Sequence, residues 1–224
     1  MLNWPEISTV LLDMDGTILD LHFDTHFWLE HFPVRYSEEH GISVEEAKIK
    51  LIGHYKELMG TIEWYCLDYW SKFSHMPIPL IKREIQHLIQ LRADADEFLT
   101  ALKQSGREVI LVTNAHPDAL ALKIERTQLD RYFDKLYSTH EFGAVKESQV
   151  LWQRLQERQG FELSSTLFVD DSLPVLKSAQ QYGIKHILAV ENPDSKKPAN
   201  IINDFTSISD YRQLTKDILA NPVT

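Results

Sequence analysis

Five short, β-rich runs lie along the chain, at residues 9–13 (TVLLD), 108–113 (EVILVT), 135–138 (KLYS), 166–170 (TLFVD) and 186–190 (HILAV). Most are apolar without interruption instead of alternating, the pattern of strands covered on both faces. That confines the chain to a sheet held between layers of helices. Helical patterns fill the later intervals. Residues 94–105 stop at Gly106, and Pro117 stands where a first helical position follows the second run. Ser172 opens a segment carrying Val175, Leu176 and Ala179 that stops near Gly183. Strand alternating with helix predicts βαβ units, right-handed crossovers and a Rossmann-like three-layer α/β core with a parallel sheet.

The first interval breaks the rhythm, because run one ends at Asp13 and run two begins near Glu108. Ser43 and Glu46 form a capping-box pattern that opens a helix through about Met59. Residues 61–73 and 79–91 supply two more helical candidates. Residues 21–92 therefore read as a small all-helical insert after strand one, with residues 1–20 and 93–224 forming the core. A polar loop is expected at 192–200 and a last helix at 210–220. The chain carries no internal repeat and no low-complexity segment.

Composition narrows the function. With 23 Lys and Arg against 33 Asp and Glu, the net charge of -10 repels a nucleic-acid polymer. It repels small anions too, so a phosphate ligand would need a local cation. No apolar run approaches the roughly 18 residues that span a bilayer, which argues against a membrane protein. The start, Met-Leu-Asn-Trp-Pro-Glu, lacks the basic region of a secretory leader, and the single cysteine, Cys66, excludes an internal disulfide. A cytoplasmic location is the expectation. Nothing in the sequence points to a protein partner.

In an open parallel sheet, ligands bind beyond the carboxyl ends of the strands. Strand one ends in Asp13-Met14-Asp15-Gly16-Thr17, strand two in Thr113-Asn114 and strand four in Asp170-Asp171, while the loop after strand three contains Lys146. Four carboxylates on one rim repel one another unless a cation intervenes. Hard oxygen ligands without His or Cys favour Mg²⁺, although other divalent ions could serve. Lys146 adds a point charge suited to holding phosphate. A calcium-loop reading of DMDG fails, since an EF-hand places Gly sixth and Glu twelfth. Here Gly16 is fourth and Asp24 is twelfth. Asp171 reads equally as a metal-site residue or as a cap for the following helix.

DMDGT at 13–17, Thr113-Asn114, Lys146 and Asp170-Asp171, in that order, resemble the four motifs of the haloacid dehalogenase-like hydrolases, and the insert sits where that family places a helical cap. The resemblance implies that Asp13 is a nucleophile taking up a phosphoryl group. Asp15 would protonate the leaving oxygen and then serve as base for water. Thr113, Asn114 and Lys146 would hold the phosphoryl group. Asp13, the Asp15 carbonyl and Asp170 would bind Mg²⁺, with Asp171 supporting the site. Halide-removing members lack the second Asp, so Asp15 argues for a phosphatase or a phosphomutase. The phosphonate-cleaving chemistry of other members needs a cap lysine in an apolar pocket, and Lys48, Lys50 and Lys56 suggest none. A phosphoryl-receiver domain is the non-enzyme alternative, but its acceptor Asp would follow strand three, where Lys146 stands.

Finer strings, LLDMDGTILDL, WYCLDYW, TNAHP, STHEFG and NPDS, are similar to the bacterial purine 5′-nucleotidases acting on GMP and IMP. That implies a small phosphomonoester substrate, with a sugar phosphate as the alternative. Trp64, Tyr65, Tyr69 and Trp70 could stack on a purine, though at helical spacing Tyr65 and Tyr69 share one face and such rings commonly pack a core. His116, Asn114 and His140 could meet ribose or leaving group. Cys66, in an aromatic segment without an evident base nearby, reads as packed and inert.

Overall fold

The computed structural model describes residues 2–223. Six strands form one parallel sheet: β1 (Thr9–Leu12), β2 (Glu108–Thr113), β3 (Lys135–Ser138), β4 (Thr166–Asp170), β5 (His186–Val190) and β6 (Ser207–Ile208). Their order is β3-β2-β1-β4-β5-β6. β1 thus lies inside the sheet, with Leu11 between Ile110 and Phe168. The first five strands stand where the sequence puts them. β6 was not anticipated, because two residues in a polar stretch carry no readable pattern.

Alternate residues of the strands face opposite helical layers, as the period of two requires. Val10, Leu12, Val109, Leu111, Leu167 and Val169 pack with helices α7 (Ala95–Gln104), α8 (Pro117–Thr127) and α11 (Arg212–Ala220). Leu11, Ile110, Val112 and Phe168 pack with α9 (Gln149–Gln159) and α10 (Leu173–Tyr182). This is a three-layer α/β core.

Between β1 and β2 the chain is helical: α1 (His22–His26), a π turn at Phe27–His31, α2 (Phe32–His40), α3 (Val44–Leu58), α4 (Ile62–Tyr65), α5 (Leu67–Ser74) and α6 (Ile78–Glu84). The Ser43–Glu46 capping box heads α3 as expected. The predicted helix over 61–73 is instead two helices. Cys66, at φ -84° and ψ 110°, is extended and turns the chain between them. Tyr65 and Tyr69 consequently do not share one helical face.

The two segments that carry the chain into and out of the insert pair with each other. The Asp20 amide donates to the Gln90 carbonyl at 3.0 Å, the Arg92 amide donates to the Ile18 carbonyl at 3.0 Å, and Leu19 bridges Leu91. One apolar cluster continues from the sheet face through Phe23, Phe27 and Phe32 to Leu51 and Trp70 inside the insert. Among the described residues, no helix is long and apolar enough to cross a membrane.

Candidate active site

β1, β2 and β4 end at one rim, and the residues just past them surround a cavity of about 540 Å³. Asp13, Asp15, Thr113, Asn114, Lys146, Asp170 and Asp171 line its floor, while Trp28, Tyr55, Trp64 and Tyr65 of the insert form an aromatic wall. The volume falls within the roughly 300–1,000 Å³ of small-molecule sites. His116 lines it also. Tyr69 stands elsewhere, its hydroxyl 2.6 Å from His54 Nε2 and its ring stacked on Phe73.

Asp13 extends β1, its amide donating to the Val169 carbonyl at 3.0 Å. Its carboxylate receives Lys146 Nζ, which also lies 2.7 Å from Asp170 Oδ2. All three side chains are buried. Asp13, Asp170 and Asp171 each offer a carboxylate oxygen within 4.8 Å of the others. Burial, with Asp170 adding repulsion, pushes Asp13 up to about 6 despite Lys146. Burial and neighbouring acids raise Asp170 and, much further, Asp171. One lysine does not balance three clustered acids, two of them buried and the third half-buried. That charge deficit and the all-oxygen donor set fit a hard divalent cation at this cluster.

Asp171 does not cap the next helix. Ser172 precedes α10, and its amide donates to Asp170 Oδ1 at 2.8 Å while its hydroxyl makes no cap bond. Asp171 instead lies over Gly16, whose φ of +86° suits only glycine. A Cβ there would come within 2.7 Å of the Asp171 carboxylate and 2.9 Å of Pro193 Cβ. Gly16→Ala is therefore expected to destabilise the fold by roughly 2–5 kcal/mol, combining left-handed strain with overpacking. It should also displace Asp171 and weaken divalent-ion binding. Urea unfolding and a Mg²⁺ titration followed by thermal shift check both effects.

Asn114 is a brace. Its Oδ1 accepts from the Lys146 amide at 3.0 Å and from Thr139 Oγ1 at 3.1 Å, and its Nδ2 donates to Glu147 Oε2 at 3.0 Å. This ties the loops after β2 and β3 and fixes Lys146. Glu147 Oε1 in turn accepts from the Tyr65 hydroxyl at 2.9 Å, linking insert to core. Thr113 is buried at the end of β2, its Oγ1 accepting from the Ala115 amide at 3.0 Å.

Asp15 has a partner that sequence reasoning missed. Lys123 of α8, almost wholly buried, sits 2.7 Å from Asp15 Oδ1 and 2.6 Å from Asp24 Oδ2. Lys82 of α6, equally buried, sits 2.9 Å from Asp24 Oδ1 and 4.1 Å from the Phe27 ring centroid. The chain of charges Asp15–Lys123–Asp24–Lys82 thus runs from the rim into the insert. Burial raises Asp15 to about 6 against the pull of Lys123, whereas the two lysines overcome burial at Asp24 and hold it at about 2. Lysines of this kind read as solvated in a sequence, and their partner lies in another helix.

Phosphoryl chemistry asks for a nucleophile, an acid two residues away, cationic clamps and a place for a metal, and all line this one cavity. A family model of the haloacid dehalogenase-like hydrolases matches residues 7–183. The chain belongs to that family. It is a phosphomonoester hydrolase, and the receiver-domain alternative falls with that membership. Over 216 residues it is 43% identical to the GMP/IMP nucleotidase YrfG of Escherichia coli (strain K12), covering 96% of this chain and 97% of that one. The same identity holds for the GMP/IMP nucleotidase YrfG of Shigella flexneri. In fold it is similar to the solved HAD phosphatase from Thermococcus onnurineus, with a TM-score of 0.80 at 23% identity over 97% of this chain and 100% of that one.

Proposed function

We propose that the protein is a Mg²⁺-dependent 5′-nucleotidase that hydrolyses purine nucleoside monophosphates through an aspartyl-phosphate on Asp13, with residues 21–92 acting as the cap over the rim. The observation that carries this reading is the one cavity whose floor is acid, lysine and threonine and whose wall is Trp28, Tyr55, Trp64 and Tyr65. An anionic head and a flat base suit those two halves. Stacking on such rings is worth roughly 1–3 kcal/mol per base. The 43% identity to proteins named as GMP/IMP nucleotidases supports the purine assignment.

Asp13 attacks phosphorus, and the bond from phosphorus to the 5′-oxygen breaks. Asp15 donates its proton to that oxygen, so the nucleoside leaves neutral. Asp15 then takes a proton from water, whose oxygen attacks the acyl-phosphate, releasing orthophosphate and restoring Asp13. A side chain raised to about 6 serves both directions near neutrality. Thr113 and Lys146 orient the phosphoryl oxygens, and Lys146 also screens Asp13. Asp13, the Asp15 carbonyl, Asp170 and Asp171 are the groups that would hold Mg²⁺, which supplies charge neutralisation to the transferring phosphoryl group.

The test is phosphate release from GMP, IMP, AMP, CMP, UMP and glucose 6-phosphate, with Mg²⁺ and with EDTA. Purine nucleotides are expected to exceed pyrimidine nucleotides and the sugar phosphate by at least about tenfold in kcat/KM, as roughly 1.4 kcal/mol of stacking provides. EDTA is expected to abolish turnover and Mg²⁺ to restore it. Preference for the sugar phosphate, or turnover indifferent to EDTA, overturns the reading.

A further inference from the structure

Cys66, expected to be packed and without a basic neighbour, has two. It is partly exposed at the turn between α4 and α5, and ligand atoms of Cys66, His116 and His140 all lie within 4.8 Å of one another. The three arrive from separate places. Cys66 belongs to the insert, His116 precedes α8 after β2, and His140 lies in the 3₁₀ turn after β3 (Thr139–Phe142). The His116 and His140 rings meet edge to face with centroids 5.1 Å apart.

His140 has the orientation of a ligand. Its buried Nε2 has no hydrogen-bond partner among the described residues. A buried imidazole nitrogen left without a partner is free to offer its lone pair to a metal. His116 is only loosely engaged. Its Nδ1 accepts from the Asp118 amide at 3.3 Å, and its Nε2 stands 3.6 Å from Asp68 Oδ2. Turning that ring toward a cation sacrifices one long bond. Asp68 is largely exposed and stands within reach as a fourth ligand.

The geometry points to a second cation site, formed by Cys66, His116 and His140, that takes a borderline-soft divalent metal such as Zn²⁺. Thiolate and imidazole donors prefer that class, whereas the acids around Asp13 prefer Mg²⁺, so the two sites sort their ions by chemistry. Zn–N near 2.0–2.1 Å and Zn–S near 2.3 Å put tetrahedral ligands about 3.3–3.6 Å apart, so side-chain rotations of about an ångström or so close the site. The thiol proton passes to solvent as the sulfur–metal bond forms. Two ligands come from the core and one from the insert, so an ion here ties Cys66, next to Tyr65 of the cavity wall, to the loops bearing His116 and His140.

Co²⁺ reports on such a site directly, because thiolate coordination gives a near-ultraviolet charge-transfer band and tetrahedral geometry intensifies the visible bands. The full-length protein, held in excess Mg²⁺ to fill the carboxylate cluster, is titrated with Co²⁺ and then challenged with Zn²⁺. One equivalent of Co²⁺ is expected to produce the thiolate band, and Zn²⁺ is expected to remove it. Cys66→Ser should lose the band with an unchanged circular dichroism spectrum. His140→Gln should weaken Co²⁺ binding at least tenfold. Absence of the band in the wild-type protein, its survival in Cys66→Ser, or undiminished affinity in His140→Gln overturns the site; the last outcome would mark a surface thiolate binding alone.

Discussion

Asp13→Asn is expected to lower turnover by at least about 10⁴-fold, because an amide neither attacks phosphorus nor carries the phosphoryl group, and the other groups act only in concert with the nucleophile. The same substitution is expected to raise stability in metal-free buffer. Asp13 is buried beside Asp170 and is pushed from 3.8 to about 6 in the folded protein. Between those values the unfolded chain has already lost its proton while the folded one retains it. Stability of the wild-type protein therefore falls as pH rises from about 4 to about 6. An Asn carries no such penalty, so the melting temperature of the variant should overtake that of the wild type across this window and stay above it at higher pH. Mg²⁺ should reverse the ranking by binding the intact carboxylate cluster more tightly. Paired thermal melts from pH 4 to 8, with EDTA and with Mg²⁺, check the sign at each step. A destabilised Asp13→Asn in EDTA at pH 7 would show that the acids there are not in electrostatic conflict.

Lys123→Met is expected to impair both folding and turnover. The lysine is 2% exposed and lies between Asp15 and Asp24. Removing one member of a buried ion network costs about 3–5 kcal/mol where the remaining charge is stranded. The loss should fall toward the lower end of that range, because Asp24 keeps Lys82. Asp15 loses the cation bonded to it and has its affinity for a proton driven further up, so it remains protonated where it must act as base for water. Turnover is expected to drop at least about 10²-fold, the usual worth of positioned acid–base groups. The alkaline shift of the pH–rate profile distinguishes this from simple loss of stability. Asp24→Asn serves as the comparison: it strands Lys82, leaves Lys123 on Asp15 and removes a charge that repels Asp15, so it should destabilise while shifting the profile to the acid side, opposite to Lys123→Met. Identical profiles for the two variants would remove Lys123 as a positioning residue.

The core was legible because its strands are buried on both faces and end in chemically unusual residues. TVLLD followed by Met-Asp-Gly-Thr needs no distant partner to be read. The capping box at Ser43 was visible for the same reason, as its two members lie three residues apart. What escaped depends on distance or on absence. No side-chain cap marks the start of α1 or α2, which a π turn joins, so residues 22–40 gave no element boundaries. The bend at Cys66 has neither glycine nor proline to announce it. Lys82 and Lys123 meet an aspartate 58 and 99 residues away in sequence, and no local pattern records that. Cys66 joined His116 and His140 only once three loops were assembled.

The unbroken apolar cluster from sheet to insert bears on how members of this family could exchange parts. Phe23, Phe27 and Phe32 carry that cluster into the insert, and Lys82 enters from α6 to complete a charge chain begun at Asp15, just past β1. Grafting a foreign lid onto this scaffold would remove Asp24 and Lys82 together, leave Lys123 facing a stranger and open a greasy wound above the sheet. A working chimera would have to bring its own lower aromatic tier and an acid to meet Lys123, or exchange Lys123 as well, so the heritable unit of specificity here is larger than the segment between the two crossing strands.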